Sequence, residues 1–239
     1  MKKTTYLILT LALLIGLISC AKGKDLIRKY SGNSKEAKLD TQTIVRGLKE
    51  ALQVGARNAV NQLGATNGYF KNRAISIPFP PDVRNVETRL RKIGLGSRVD
   101  EFILTMNRAA EEAAPKAFDI FIGAIKGMSF EDARNILYSD NPRAATDYFE
   151  GKTRPALYKA FYPVVSNTLD QTGVTKIFQF LLDKYNSIPF IKKERFDLKD
   201  YVNNKALDGL FTVLAQEEKK IRKDPAARIN DLLKKVFGS

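Results

Sequence analysis

The chain has 239 residues, with 40 lysines and arginines against 26 carboxylates, a formal net charge of +14, and no histidine. Its one cysteine, Cys20, lies in the N-terminal segment, so Ser-His-Asp and Cys-His catalysis, disulfides, and typical zinc chemistry are excluded from the body of the chain. An apolar fraction of 44% over roughly 200 residues supports one core, and a single folded domain is expected.

Lys2 and Lys3 precede an apolar run over residues 6–18. At about 13 residues the run is shorter than the roughly 20 a membrane-spanning helix needs, and it has the length of a secretory signal core. It closes in LISC (17–20), the pattern of a bacterial lipobox. Cleavage before Cys20 would leave its thiol to carry a diacylglyceryl group; a plain signal peptide with an incidental cysteine is the alternative. The expected layout is a signal peptide over 1–19, lipidated Cys20 with a flexible tether over 20–40, and one all-helical domain over 41–239. Ala21, where many retained lipoproteins carry aspartate, favours the outer membrane, with the domain facing the periplasm. Several acyl chains, each CH₂ contributing about 0.8 kcal/mol, would hold such a protein stably. An exported chain seldom meets nucleic acid, so none is expected as a partner. The positive charge points instead to anionic lipid or lipopolysaccharide, or simply to a basic surface.

Beyond the tether the pattern is helical. Residues 41–63 place Ile44, Leu48, Leu52, Ala59 and Leu63 on one face, with Gly64 as terminator. Gly47, Ala51, Gly55 and Ala59 recur every fourth residue, a small-residue stripe that lets another helix approach closely. Residues 65–82 interrupt the helices. Ile75 and Ile77 alternate ahead of Pro78, Pro80 and Pro81, which predicts a short extended segment. Ile188-Pro189-Phe190 repeats Ile77-Pro78-Phe79, so the pieces near 74–79 and 187–191 form a candidate two-stranded ribbon. Residues 82–93 predict a short basic helix with Val83, Val86, Leu90 and Ile93 inward, broken by Gly94 and Gly96.

A helix over 100–126 comes next. Ser129 with Asp132 forms a capping box for 130–138, and Asn141-Pro142 reads as an N-cap with a first-turn proline. GKT at 151–153 lacks the glycine that a phosphate loop needs five residues earlier, where Thr146 stands, so Gly151 reads as a helix C-cap. Further helices are expected near 154–171, 174–186, 197–223 and 225–237, the last opening at Asp224-Pro225. The sum is an all-α compact bundle of about 8–10 helices. Asp197, Asp200 and Asp208 are too scattered for a calcium loop, and no metal or cofactor is expected. Lys219, Lys220, Arg222, Lys223, Arg228, Lys234 and Lys235 form either a footprint for an anionic surface or a solvated face with cations near helix C-termini.

The stretch MNRAAEEAAPKAF (106–118) carries the candidate site. On a helical wheel, Glu112 falls in the polar sector with Arg108 four residues before and Lys116 four after, an ion-pair ladder. Glu111 instead shares its direction with Leu104, Phe118, Ile122 and Ile125. That second apolar face lies opposite the stripe of Phe102, Met106, Ala109, Ala113, Ala117, Ile120 and Ala124, as in a helix central to a bundle. Asn107 lies one turn earlier on Glu111's side. Pro115 cannot donate to the carbonyl of residue 111, so side chain and carbonyl both need partners there. A buried polar network and a ligand pocket both stay open for Glu111 and Asn107. Tyr148, Phe149, Tyr158, Phe161, Tyr162, Phe178, Phe180, Tyr185 and Phe190 serve as core or line a pocket for an apolar ligand.

Several strings resemble a bacterial lipoprotein family catalogued as domain of unknown function 4197: LKEALQVGARNAV (48–60), NGYFKN (67–72), IPFP (77–80), GLGSRVDEF (94–102), MNRAAEEAAPKA (106–117), YFEGKT (148–153), DLKDYVNNKALDGLF (197–211) and IRKDPAARINDLLKKVFG (221–238). The resemblance implies an all-helical envelope lipoprotein and brings no catalytic residues, substrate or cofactor. The expectation is a monomeric, membrane-anchored binding or structural module. A periplasmic carrier of a lipid or other apolar ligand is the second reading. A hydrolase or other enzyme working without His and Cys is the third.

Overall fold

The computed structural model describes residues 41–186 and 196–223. The expected signal and tether, the ribbon piece at 187–191 and the helix at 225–237 lie outside these residues. The described residues form eight α-helices: α1 (Thr41–Gly64), α2 (Arg84–Lys92), α3 (Gly96–Ala113), α4 (Ala117–Gly127), α5 (Phe130–Leu137), α6 (Ala144–Gln171), α7 (Val174–Asn186) and α8 (Leu198–Lys223), with 3-10 turns at Pro81–Val83 and Ala114–Lys116. The all-α bundle is as expected.

Helix α8 is its hub, packed against α6, α1 and α3. Val202, Ala206, Leu207, Leu210, Phe211, Val213 and Leu214 are all buried, so the helix is covered nearly all round, as a central helix must be. The small-residue stripe of α1 meets this hub. A methyl added at Gly55 would touch Ile221 Cδ1 at 3.4 Å, and Ala51 packs on Ile221.

Helix α6 runs unbroken through Gly151, Pro155 and Pro163, so Gly151 is not a C-cap and the two helices expected on either side of it are one. The prolines survive because they stand outward. Gly151, Pro155, Lys159 and Pro163 are exposed, so the carbonyls of Gly151 and Lys159, which lose their donors, face water. The opposite face, Ala145, Phe149, Thr153, Leu157, Phe161, Val165 and Leu169, is buried at a strict four-residue spacing.

Other elements depart from expectation for local reasons. Residues 74–79 form no strand; Ile77 finds its partners on a helix side chain, described below. The 100–126 helix is broken, since Pro115 converts residues 114–116 into a 3-10 turn between α3 and α4. Ile93 points out, because α2 ends at Lys92 and Gly94 turns the chain with φ of 84°. Asn141 stands ahead of α6 and not at its cap: its Oδ1 accepts from Arg143 N at 2.9 Å, closing a turn.

The capping box is present as expected. Ser129 Oγ accepts from Asp132 N at 3.0 Å and donates to Asp132 Oδ2 at 2.7 Å. The Ser129 hydroxyl, then its N–H, holds the Asp132 carboxyl below the usual carboxylate range. This contribution to stability is present above that range and is lost as pH falls through the depressed pKa.

Two helical glycines separate packing from propensity. At Gly151 an added methyl meets nothing within 4 Å, whereas at Gly209 it would lie 2.6 Å from Tyr69 Cε1. Gly151→Ala should therefore stabilise by roughly 0.5–1 kcal/mol. Gly209→Ala should destabilise by about 1–3 kcal/mol despite the same gain in helix propensity. Urea denaturation of the two variants checks both signs.

Candidate functional site

The candidate site is built where residues 65–80 cross α3 and α8. Past α1 the chain turns back on itself so tightly that a methyl on Gly68 would lie 2.3 Å from the Gln62 carbonyl and 2.6 Å from that of Leu63. Asn67 adopts φ of 70°, a left-handed conformation that asparagine tolerates better than most residues. The turn aims two consecutive amides, Tyr69 N and Phe70 N, at Glu111 Oε1, each at 3.1 Å. Arg108 pairs with Oε2 of the same carboxylate and also donates to Asn67 Oδ1 at 2.9 Å. Glu111 is only 5% exposed, and both its oxygens are occupied.

One turn earlier Asn107, fully buried, works as a backbone surrogate. Its Oδ1 accepts from Ile77 N at 2.8 Å, and its Nδ2 donates to Ile77 O at 2.9 Å and Ile103 O at 2.8 Å. Between these clamps Tyr69 is fully buried and donates its hydroxyl to Ala206 O of α8 at 2.7 Å. Burial, then the charges of Glu111 and Asp208, push its phenol well above the ordinary value, so it stays protonated and remains a donor. The Tyr69 ring lies over Gly209, which explains a glycine inside the hub helix.

The wheel's placement of Glu111 and Asn107 on one side of α3, with Glu111 buried, agrees with this geometry. Its ion-pair ladder does not. Arg108 turns to Glu111, because a buried charge draws the nearest cation more strongly than a solvated one does. Glu112 is exposed and accepts from Thr168 Oγ1 at 2.6 Å. The Pro115 ring packs on Gly64, with the Glu111 carbonyl alongside.

A second buried carboxylate, Glu218 on α8, escaped the sequence reading. Its Oε1 accepts from Ala145 N at 3.0 Å, and its Oε2 accepts from Thr146 N at 2.9 Å and Thr146 Oγ1 at 2.8 Å. Arg222 pairs with it at 2.9 Å and donates to Ile136 O at 2.9 Å. Glu218 thus supplies from a distant helix the cap that Asn141 does not give α6, and its charge suits the positive end of that helix. Neighbouring Glu217 is also buried, accepting from Asn58 Nδ2 at 3.0 Å and pairing with Lys220. The signal was the same as at Glu111: Glu218 follows Leu214 by four and precedes Ile221 by three, on an apolar face. Lys220 and Arg222, read as surface charge, serve these buried partners.

Chemically, Glu111, Asn107 and Glu218 hold main chain. Among the described residues no group of three or more His, Cys, Asp or Glu could hold a metal ion, and no helix is long and apolar enough to cross a membrane. Cys20 lies outside the described residues. Glu111→Gln removes the pairing with Arg108 and should cost roughly 2–4 kcal/mol, while Glu112→Gln should stay within about 0.5 kcal/mol of the parent. Hydrogen exchange should quicken at the Tyr69 and Phe70 amides in the first variant only; equal effects in both would contradict the clamp.

No curated protein and no solved structure matches this chain. A family model, described as Protein of unknown function (DUF4197), matches residues 38–238. That span holds every described helix and both clamps, and the chain belongs to this family of proteins of unknown function.

Proposed function

We propose that this protein is an envelope lipoprotein, anchored through Cys20 at the outer membrane and facing the periplasm, whose helical domain acts as a monomeric, non-catalytic binding or structural module. The anchor is supported by LISC (17–20) following a basic start and an apolar run of signal-peptide length. The observation that carries the module reading is the commitment of the buried carboxylates. Glu111 and Glu218 each accept from two consecutive backbone amides and pair with an arginine of their own helix. Such groups rigidify a scaffold. A general acid or base needs a face open to the proton it transfers.

The carrier reading has less support. The cleft beside Glu218, lined by Leu48, Ala51, Leu52, Ala145 and Ile221, has room for about one water molecule. An acyl chain would have to part α1 from α8 to enter. The larger hollow beside Gly68 is an open recess lined mainly by polar side chains such as Gln62, Thr66, Asn67 and Lys71.

Metabolic labelling with a radioactive fatty acid tests the anchor. Label should appear on the parent chain and vanish in Cys20→Ala; label that persists in the variant overturns it. Native mass spectrometry of the lipidated chain, released from detergent, tests the module. A bare protein mass is expected, and a stoichiometric non-covalent lipid would replace the module with the carrier. A turnover abolished by Glu111→Ala without loss of fold would replace both with an enzyme.

A further inference from the structure

The turn between α2 and α3 presents apolar side chains to water. Ile93 is 70% exposed and Leu95 40%, although Ile93 continues the inward series Val83, Val86 and Leu90. The turn is not a frayed end. Leu95 N donates to Leu90 O at 2.9 Å, and Val99 N donates to Leu95 O at 3.2 Å, so the chain is held by hydrogen bonds on both sides of Gly94. Two exposed aliphatic side chains are thus held on a hydrogen-bonded turn. Cations flank it in sequence: Arg89, Arg91, Lys92 and Arg98 are all exposed, with Glu87, Asp100 and Glu101 as the neighbouring carboxylates. Arg91 reaches Glu87 at 3.0 Å and Asp100 at 2.9 Å, and Arg98 reaches Glu101 at 2.9 Å. These are solvated pairs, each worth little, and lipid phosphates compete with them readily. Helix α7, packed against α2, carries Ile177 at 51% exposure.

We propose that the 93–95 turn is a membrane-contact site, in which Ile93 and Leu95 enter the interface of an anionic bilayer while Lys92 and Arg98 engage headgroup phosphates. The proposal rests on the envelope reading, in that the domain must meet a bilayer, but it does not depend on acylation of Cys20. Bilayer fits better than protein on the size and chemistry of the feature. A stable protein interface buries about 800 Å² per partner around aromatic or arginine anchors seated in pockets. Two exposed aliphatic side chains flanked by cations match shallow insertion, whose strength scales with apolar area and attraction to anionic lipid.

The chain has no tryptophan, so Leu95→Trp makes a single-site reporter, with Ile93→Trp as a second should the first disturb the turn. The full chain carrying either reporter is mixed with vesicles of phosphatidylglycerol and phosphatidylcholine. Emission should shift to the blue and be quenched by brominated acyl chains; both effects should be absent with phosphatidylcholine alone and should weaken with salt. Adding Lys92→Gln and Arg98→Gln should weaken the response by about tenfold or more. A chain that sediments with vesicles while its tryptophan stays in water attaches elsewhere. That result overturns this site and leaves the anchor at Cys20 to its own labelling test. A blue shift that needs no lipid and grows with protein concentration would give the turn to a second copy of the chain, and overturns the site equally.

Discussion

The structure depends on one carboxylate held out of water. Glu111 sits in the bundle interior, where an unpaired charge would cost several kcal/mol, and it is kept there by the Tyr69 and Phe70 amides and by Arg108. Those partners are what fold residues 65–80. Without the carboxylate, the buried Tyr69 amide and the half-buried Phe70 amide would both lack their acceptor, and the loop would lose its hold on α3. With it, Tyr69 is delivered to α8, and Gly209 is the hollow that receives its ring. A polar group on α3 thus positions the loop residue that packs into α8.

Glu218 repeats the device at the start of α6. In both places a glutamate reaches across from a packed helix, ligates two successive backbone N–H groups, and keeps an arginine of its own helix to balance its charge. Apolar packing alone leaves neighbouring helices free to slide and rotate by small amounts, because many arrangements bury similar area. A carboxylate that must meet two particular amides admits one register. The cost of dehydrating each charge is thereby offset by a geometry fixed at two particular amides.

Much of this was legible from residue spacing. The periodicities of α1, α7 and α8, the Ser129 capping box and the burial of Glu111 with Asn107 all follow from which side chains share a face. What was not legible depends on partners distant in sequence. Nothing near residue 145 announces that the α6 cap comes from residue 218, so Asn141-Pro142 looked like the local solution. Arg108 can reach either Glu111 or Glu112 on a helix, three residues from one and four from the other, and only burial decides between them. Gly151 and Pro155 look like helix breakers until it is known that both face water. Ile93 looks like core until the helix is seen to stop one residue before it.

The role of Asn107 reaches beyond holding a loop. Ile75-Ser76-Ile77 is a β-prone stretch, the kind through which chains recognise one another edge to edge and aggregate. Here the amides of Ile75 and Ser76 both donate to Asn72 O, and Ile77 spends its N–H and its carbonyl on the Asn107 amide. Pro78, Pro80 and Pro81 follow with no N–H to offer. A passing strand therefore finds almost no donor to pair with along this segment. The side chain that closes the site also denies a β-prone segment the backbone groups through which another strand would pair with it.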